Sequence, residues 1–144
     1  MNRGLYLMAR IAGRAVAIPA DCVESAVDLG AITPAPLAAP GVVGLAALRS
    51  RVVTVIDPRV LLACGGPGEL PNRAVVSLVD GHAYAILVEA LDDVAEFDTV
   101  ALPPGVQLGA GWAKAGTAVI DQPGEPVLVV DLAALVPHPT ALAA

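Results

Sequence analysis

Gly44-Leu-Ala-Ala-Leu-Arg-Ser-Arg-Val-Val-Thr-Val-Ile-Asp57 is the stretch on which the fold turns. Two apolar runs flank Arg49-Ser50-Arg51. Leu45 to Leu48 is long enough for one strand. Val52 to Ile56 is β-branched at every position, the composition of a strand buried on both faces. Leu48 and Val52 to Ile56 therefore read as core. The arginines fall at the turn, where water or a partner reaches them. An apolar hairpin with cations only at its tip belongs at the centre of a β domain.

The whole chain suits that reading. At 144 residues it is expected to form a single domain over 1–144. A hydrophobic content of 56% fills a sizeable core, and with only 3% aromatics that core must be aliphatic. Fourteen glycines and 13 prolines imply frequent turns and many short strands. A net charge of −6 without a basic stripe argues against nucleic acid and anionic membrane surfaces as partners. The uncharged run Ala31 to Leu48 is broken by Pro34, Pro36, Pro40, Gly41 and Gly44, so no membrane insertion is expected. Met1-Asn2-Arg3 does not open a signal peptide, which predicts a cytoplasmic protein. Cys22 and Cys64 lack metal-ligand spacing and read as buried free thiols.

Outward from the hairpin, Leu5 to Ile11 and Ala15 to Ile18 read as a strand pair turning at Gly13-Arg14. Asp21 is placed to cap a helical turn through Val23 and Glu24. Ala26 to Leu29 is a brief strand, and Ala31 to Pro40 a rigid connector. Asp57-Pro58 opens a short helix, Arg59 to Leu62. Ala63 to Asn72 is a loop by composition. Its glycines are not followed by Gly-Lys-Ser/Thr, so it is no phosphate cradle. Arg73 to Val79 and His82 to Val88 form a hairpin across Asp80-Gly81. Glu89 to Phe97 predicts a half-exposed strand or bend. Leu102 to Gly105 is a turn, and Gly109 to Gly116, with the only tryptophan, is loop-like. Thr117 to Ile120 and Val127 to Val130 make a last hairpin, and Asp131 caps a turn over Leu132 to Leu135. The sum is an all-β barrel or paired-barrel pattern with a few short helices. Arg51 to Leu62 and Glu125 to Leu135 echo each other as strand, Asp, leucine-rich turn, which points to two related lobes.

Catalytic signatures are missing. There is no Gly-x-Ser-x-Gly and no His-Glu-x-x-His. His82 and His138 read as surface or partly packed side chains. Asp92 and Asp93 are adjacent on a strand and point to opposite faces. Asp57 and Asp131 are explained by capping. No cofactor and no metal is expected, and binding is the better inference. A small-ligand β-barrel domain would rest only on the glycine-rich loop after Cys64 and the scattered carboxylates.

From Leu5 to Val136 the order of these segments resembles the bacterial chemotaxis coupling proteins of the CheW family. Members read Gly-apolar-Ile/Val-Asn-Leu-Arg-Gly, an apolar strand, then Val-Asp-Leu-Arg. Here Leu48, Arg49, Asp57 and Arg59 match that pattern. Ile32-Thr-Pro-Ala-Pro36 resembles the proline-bearing stretch before it, and Val127 to Leu135 the closing strand and helix. Ala47 stands where members carry Asn, Ser50 where they carry Gly, and Glu24 falls one place early for the family's Val-x-Glu-Val/Ile.

The resemblance implies an all-β fold of two SH3-like five-stranded barrels sharing a core, and a non-catalytic adaptor. Its partners would be the regulatory domain of a histidine kinase and the helical hairpin at a chemoreceptor's cytoplasmic tip. The protein would be cytoplasmic and recruited to membrane-associated receptor arrays. The receptor hairpin would lie in a groove between the lobes. Val23, Glu24, Val43, Leu48 and Arg49 are the residues this assigns to partner binding, with Arg51 and Arg59 as solvated charges. The same scaffold in pilus motility or development is the alternative pathway.

Overall fold

The structure is a computed structural model; it describes residues 2–34, 40–48, 51–62, 70–102, 110–120 and 127–136. Eleven strands fall among them. β1 (Asn2–Ile11) and β2 (Arg14–Pro19) form an antiparallel hairpin. Ala12 and Gly13, both at positive φ (52° and 80°), make its turn, one residue earlier than the sequence indicates. That is the backbone of a hairpin turn whose twist matches its strands. The chain then builds a second sheet from β3 (Ser25–Asp28), β4 (Thr33–Pro34), β5 (Val42–Leu48), β6 (Arg51–Ile56), β7 (Arg73–Val79) and β8 (His82–Val88). It returns to the first sheet with β9 (Ala90–Ala101), β10 (Gly116–Ile120) and β11 (Val127–Val130).

The first sheet is a closed barrel in the order β1-β2-β11-β10-β9. The second has the order β3-β7-β8-β6-β5-β4. Four strands correspond between them. β7-β8-β6-β5 repeats the pairing of β1-β2-β11-β10, including the parallel steps β8 to β6 and β2 to β11. What differs is the strand that closes the ring. β9 is 12 residues long and pairs with β1 through Ala90 to Thr99 and with β10 through Thr99 to Ala101. In the second sheet the outer positions fall to the four-residue β3 and the two-residue β4, which do not pair with each other.

The echo read from the sequence is a real structural repeat. Asp57 follows β6 and accepts from the backbone N–H of Arg59 at 3.0 Å; Asp131 follows β11 and accepts from that of Ala133 at 3.0 Å. Each aspartate also donates its own N–H to a preceding segment, Asp57 to Gly41 and Asp131 to Ala115, both at 2.8 Å. The helical turns so capped are α1 (Pro58–Leu61) and a 3₁₀ turn, Leu132–Leu135. The two are not energetically alike. Asp57 is buried and also holds the Arg59 guanidinium at 3.1 and 3.2 Å. Loss of either cap costs about 1 kcal/mol. Asp57→Ala is expected to cost more than Asp131→Ala, because it also leaves a half-buried guanidinium unpartnered. Urea unfolding of the two variants side by side checks the order.

Period-2 alternation sorts the buried side chains into three cores. Val16 and Ile18 of β2, Tyr84, Ile86 and Val88 of β8, Leu128 and Val130 of β11, and Ile56 and Val75 share the central one. It joins the two sheets. Val53, Val55, Ala74, Val76, Ala85 and Leu87 fill the second lobe; Ala17, Ile120, Val127 and Val129 fill the barrel. β11 is buried throughout, and β8 from Tyr84 onward, because each faces the central core on one side and its own lobe on the other.

Several expectations are corrected. Val52 to Ile56 is not buried on both faces: Val53, Val55 and Ile56 are fully covered, but Val52 is 61% exposed. Asp21 does not cap a helix at Val23 and Glu24; it lies inside a 3₁₀ turn, Ala20–Cys22, whose N-cap is Pro19 with no side-chain bond. Gly109 to Gly116 is not simply a loop, since α2 (Ala110–Ala115) lies within it and buries Trp112 in the central core. The Arg14 guanidinium stacks 4.8 Å from the Trp112 ring centroid. Arg49, Ser50, Cys64 and His138 lie outside the described residues.

Candidate partner-binding face

The site residues taken from the sequence fall on two different cores. Val23 packs against the central core, whereas Val43 and Leu48 pack against the core of the second lobe. Val43 lies near the β5 bulge between Val42 and Gly44, and Leu48 at the opposite end of the strand. Five residue steps separate them, about 17 Å of extended chain. Through Arg51, Glu24 is linked to the Leu48 end of β5, and Val43 lies at the other end.

An ion pair links Glu24 to Arg51. Arg51 is the direct cross-strand partner of Leu48. The segment carrying Val23 is fixed from the other side as well. Ser77 Oγ donates to the Cys22 carbonyl at 2.7 Å, and the Glu24 N–H to the Val76 carbonyl at 2.8 Å. Arg51 is thus not a merely solvated charge, and neither is Arg59, which Asp57 holds. That bond to Asp57 raises the Arg59 pKa above its ordinary value.

Register shows a feature that the sequence reading missed. Leu45 pairs with Thr54, Thr54 with Tyr84, and Tyr84 with Ser77. Two residues nearer the end of the sheet, Ala47 pairs with Val52, and His82 with Val79. All these positions share the outer face of the sheet. Where the barrel covers that face, Tyr84 and Ser77 are buried. Beyond the cover, Leu45 is 42% and Val52 61% exposed, with Ala47 and His82 also open. An apolar strip thus runs out from the edge of the central core. The sequence signal for it was the β-branched run itself, which gives a strand but not which face is covered.

Among the described residues no cluster of His, Cys, Asp or Glu is arranged to hold a metal ion. No helix among them is long and apolar enough to cross a membrane. Cys22 is half-buried, and burial, followed by the charge of Asp21, raises its thiol pKa. A raised pKa means less thiolate at a given pH, so Cys22 should alkylate more slowly with iodoacetamide in the folded protein at pH 8 than in urea. Equal rates would contradict that environment.

The fold has a solved counterpart. The crystal structure of the scaffolding protein TtCheW from Thermoanaerobacter tengcongensis superposes with a TM-score of 0.78 at 17% identity, over 93% of this chain and 92% of that one. No curated protein sequence matches the chain. The CheW-like domain model matches residues 5–140, so the chain belongs to the CheW-like domain family.

Proposed function

We propose that this protein is a non-catalytic adaptor that couples the cytoplasmic tips of chemoreceptors to a histidine kinase. The observation that carries the reading is the open apolar strip Leu45, Ala47 and Val52, continuous with the central core. An amphipathic helix buries its apolar side on such a strip. Val23, Glu24, Val43, Leu48 and Arg49 are carried over from the family resemblance as the partner-binding residues. The chain acts as one domain, because the central core draws on both sheets. It works in the cytoplasm, drawn to membrane-associated arrays by its partners, and needs no cofactor.

Co-elution of the purified protein with a kinase regulatory domain, and separately with a receptor helical-hairpin fragment, tests the reading. Binding to each is expected. Binding to neither would overturn it. Binding to the kinase alone would move the scaffold to another pathway, such as pilus motility or development, as Ala47 and Ser50 in the tip motif would allow.

A further inference from the structure

We propose that two copies of this chain exchange halves, each completing the other's fold, to give a dimer of two whole globules. The half spanning residues 2–62 runs β1, β2, β3, β4, β5, β6, α1; the half spanning residues 73–136 runs β7, β8, β9, β10, β11 and the closing 3₁₀ turn. β3 and β4 together take the place of β9: one pairs with β7 and the other with β5, as β9 pairs with β1 and with β10. Even the bulge recurs, between Val42 and Gly44 in β5 and between Gly116 and Ala118 in β10. The halves are repeats, and within the chain they have exchanged hairpins. β1 and β2 sit in the barrel with β9, β10 and β11, while β7 and β8 sit in the sheet with β3 to β6.

The strand pairings that join a hairpin to its sheet therefore link opposite halves: β1 with β9, β2 with β11, β3 with β7 and β6 with β8. The crossing points are held by the opposite half too. Between β2 and β3 the Cys22 carbonyl accepts from Ser77 Oγ, and the Glu24 N–H donates to the Val76 carbonyl. Between β8 and β9 the Glu89 N–H donates to the Arg10 carbonyl, and the Glu89 carboxylate accepts from the Gly13 N–H. None of these bonds requires the halves to share a chain; only residues 63–72 join them covalently. A tether that short holds its ends at an effective concentration on the order of millimolar. A second copy competes with the tether at such concentrations, because the contacts in either product are the same. In each globule of the dimer Leu45 and Val52 come from one chain, and Tyr84 and His82 from the other. The dimer thus presents the apolar strip twice.

Refolding from urea tests the exchange on the full chain, with or without a partner protein. At about 10 μM the product is expected to be monomer, and at about 1 mM monomer and dimer in comparable amounts by light scattering. The dimer should persist when diluted, because the halves part only on unfolding. Monomer at every concentration, or a dimer that falls apart on dilution as a surface contact does, would overturn the proposal. A mixture of two variants reads the exchange directly. Val55→Asp and Val129→Asp each put a carboxylate at a buried position two residues before a capping aspartate, one in each half. Neither is expected to fold alone, since the buried charge has no partner. Refolded together at the higher concentration, the intact half of each completes one native globule. Native Trp112 fluorescence and hydrogen-exchange protection should return to at most about half the wild-type level, because the other pair of halves carries both substitutions. No native signal beyond that of the separate variants would refute the exchange.

Discussion

Ile86→Ala is expected to cost about 2–5 kcal/mol of folding stability and to unfold the whole chain in one transition. Ile86 is fully buried in the central core, on a strand covered on both faces. The truncation leaves a cavity between the two sheets, where collapse would require both to move. Close-packed interiors do not relax that far. Because Ile56, Val75 and Tyr84 of the second sheet share this core with Val16, Ile18 and Leu128 of the barrel, neither lobe should outlast the other. Urea unfolding followed by far-UV circular dichroism and by Trp112 fluorescence checks both parts. Trp112 sits in the central core, so the two probes should give one midpoint. Separate midpoints, or a cost below about 1 kcal/mol, would contradict a shared core. Leu78→Ala is the control, since Leu78 is 55% exposed and its loss should fall within about 0.5 kcal/mol.

The second large effect is on binding. Leu45→Glu combined with Val52→Glu is expected to weaken receptor-fragment affinity by about 100-fold or more, as loss of central apolar anchors does at protein interfaces. Each side chain points outward from the sheet, so the fold should lose no more than about 1 kcal/mol per site. Titration calorimetry against the fragment, with a melting curve of the same sample, separates the two. Normal affinity in the folded double variant would remove the apolar strip from the site.

Strand positions and hairpins were legible in the sequence because short β-branched runs alternate with turn residues. Asp80-Gly81 shows why: both residues adopt positive φ, at 52° and 79°, as the tight turn requires. The strand-Asp-turn echo was legible because the same capping bond recurs after β6 and after β11. What escaped the sequence depends on neighbours far along the chain. The exposure of Val52 is decided by where the barrel ends over the sheet, and no local pattern encodes that. α2 was hidden because Gly111 and the flanking Gly109 and Gly116 weaken helix propensity, while burial of Trp112 supplies what propensity lacks. The full length of β9 was hidden because its acidic residues read as a bend. Antiparallel pairing with β1 over most of its length holds it extended.

The sequence named residues on two cores: Val23 packs against the central one, and Val43 and Leu48 against that of the second lobe. Among the described residues Arg51 meets Glu24. Long side chains at a strand end reach across the sheet, and strand parity alone does not predict such a contact.

The most direct test of the adaptor claim is sedimentation of a mixture of this protein, a kinase regulatory domain and a receptor cytoplasmic fragment. The account predicts a complex containing all three, with no kinase–receptor complex at the same concentrations when this protein is left out. A kinase and receptor that associate equally well without it, or that displace one another from it, would contradict the account.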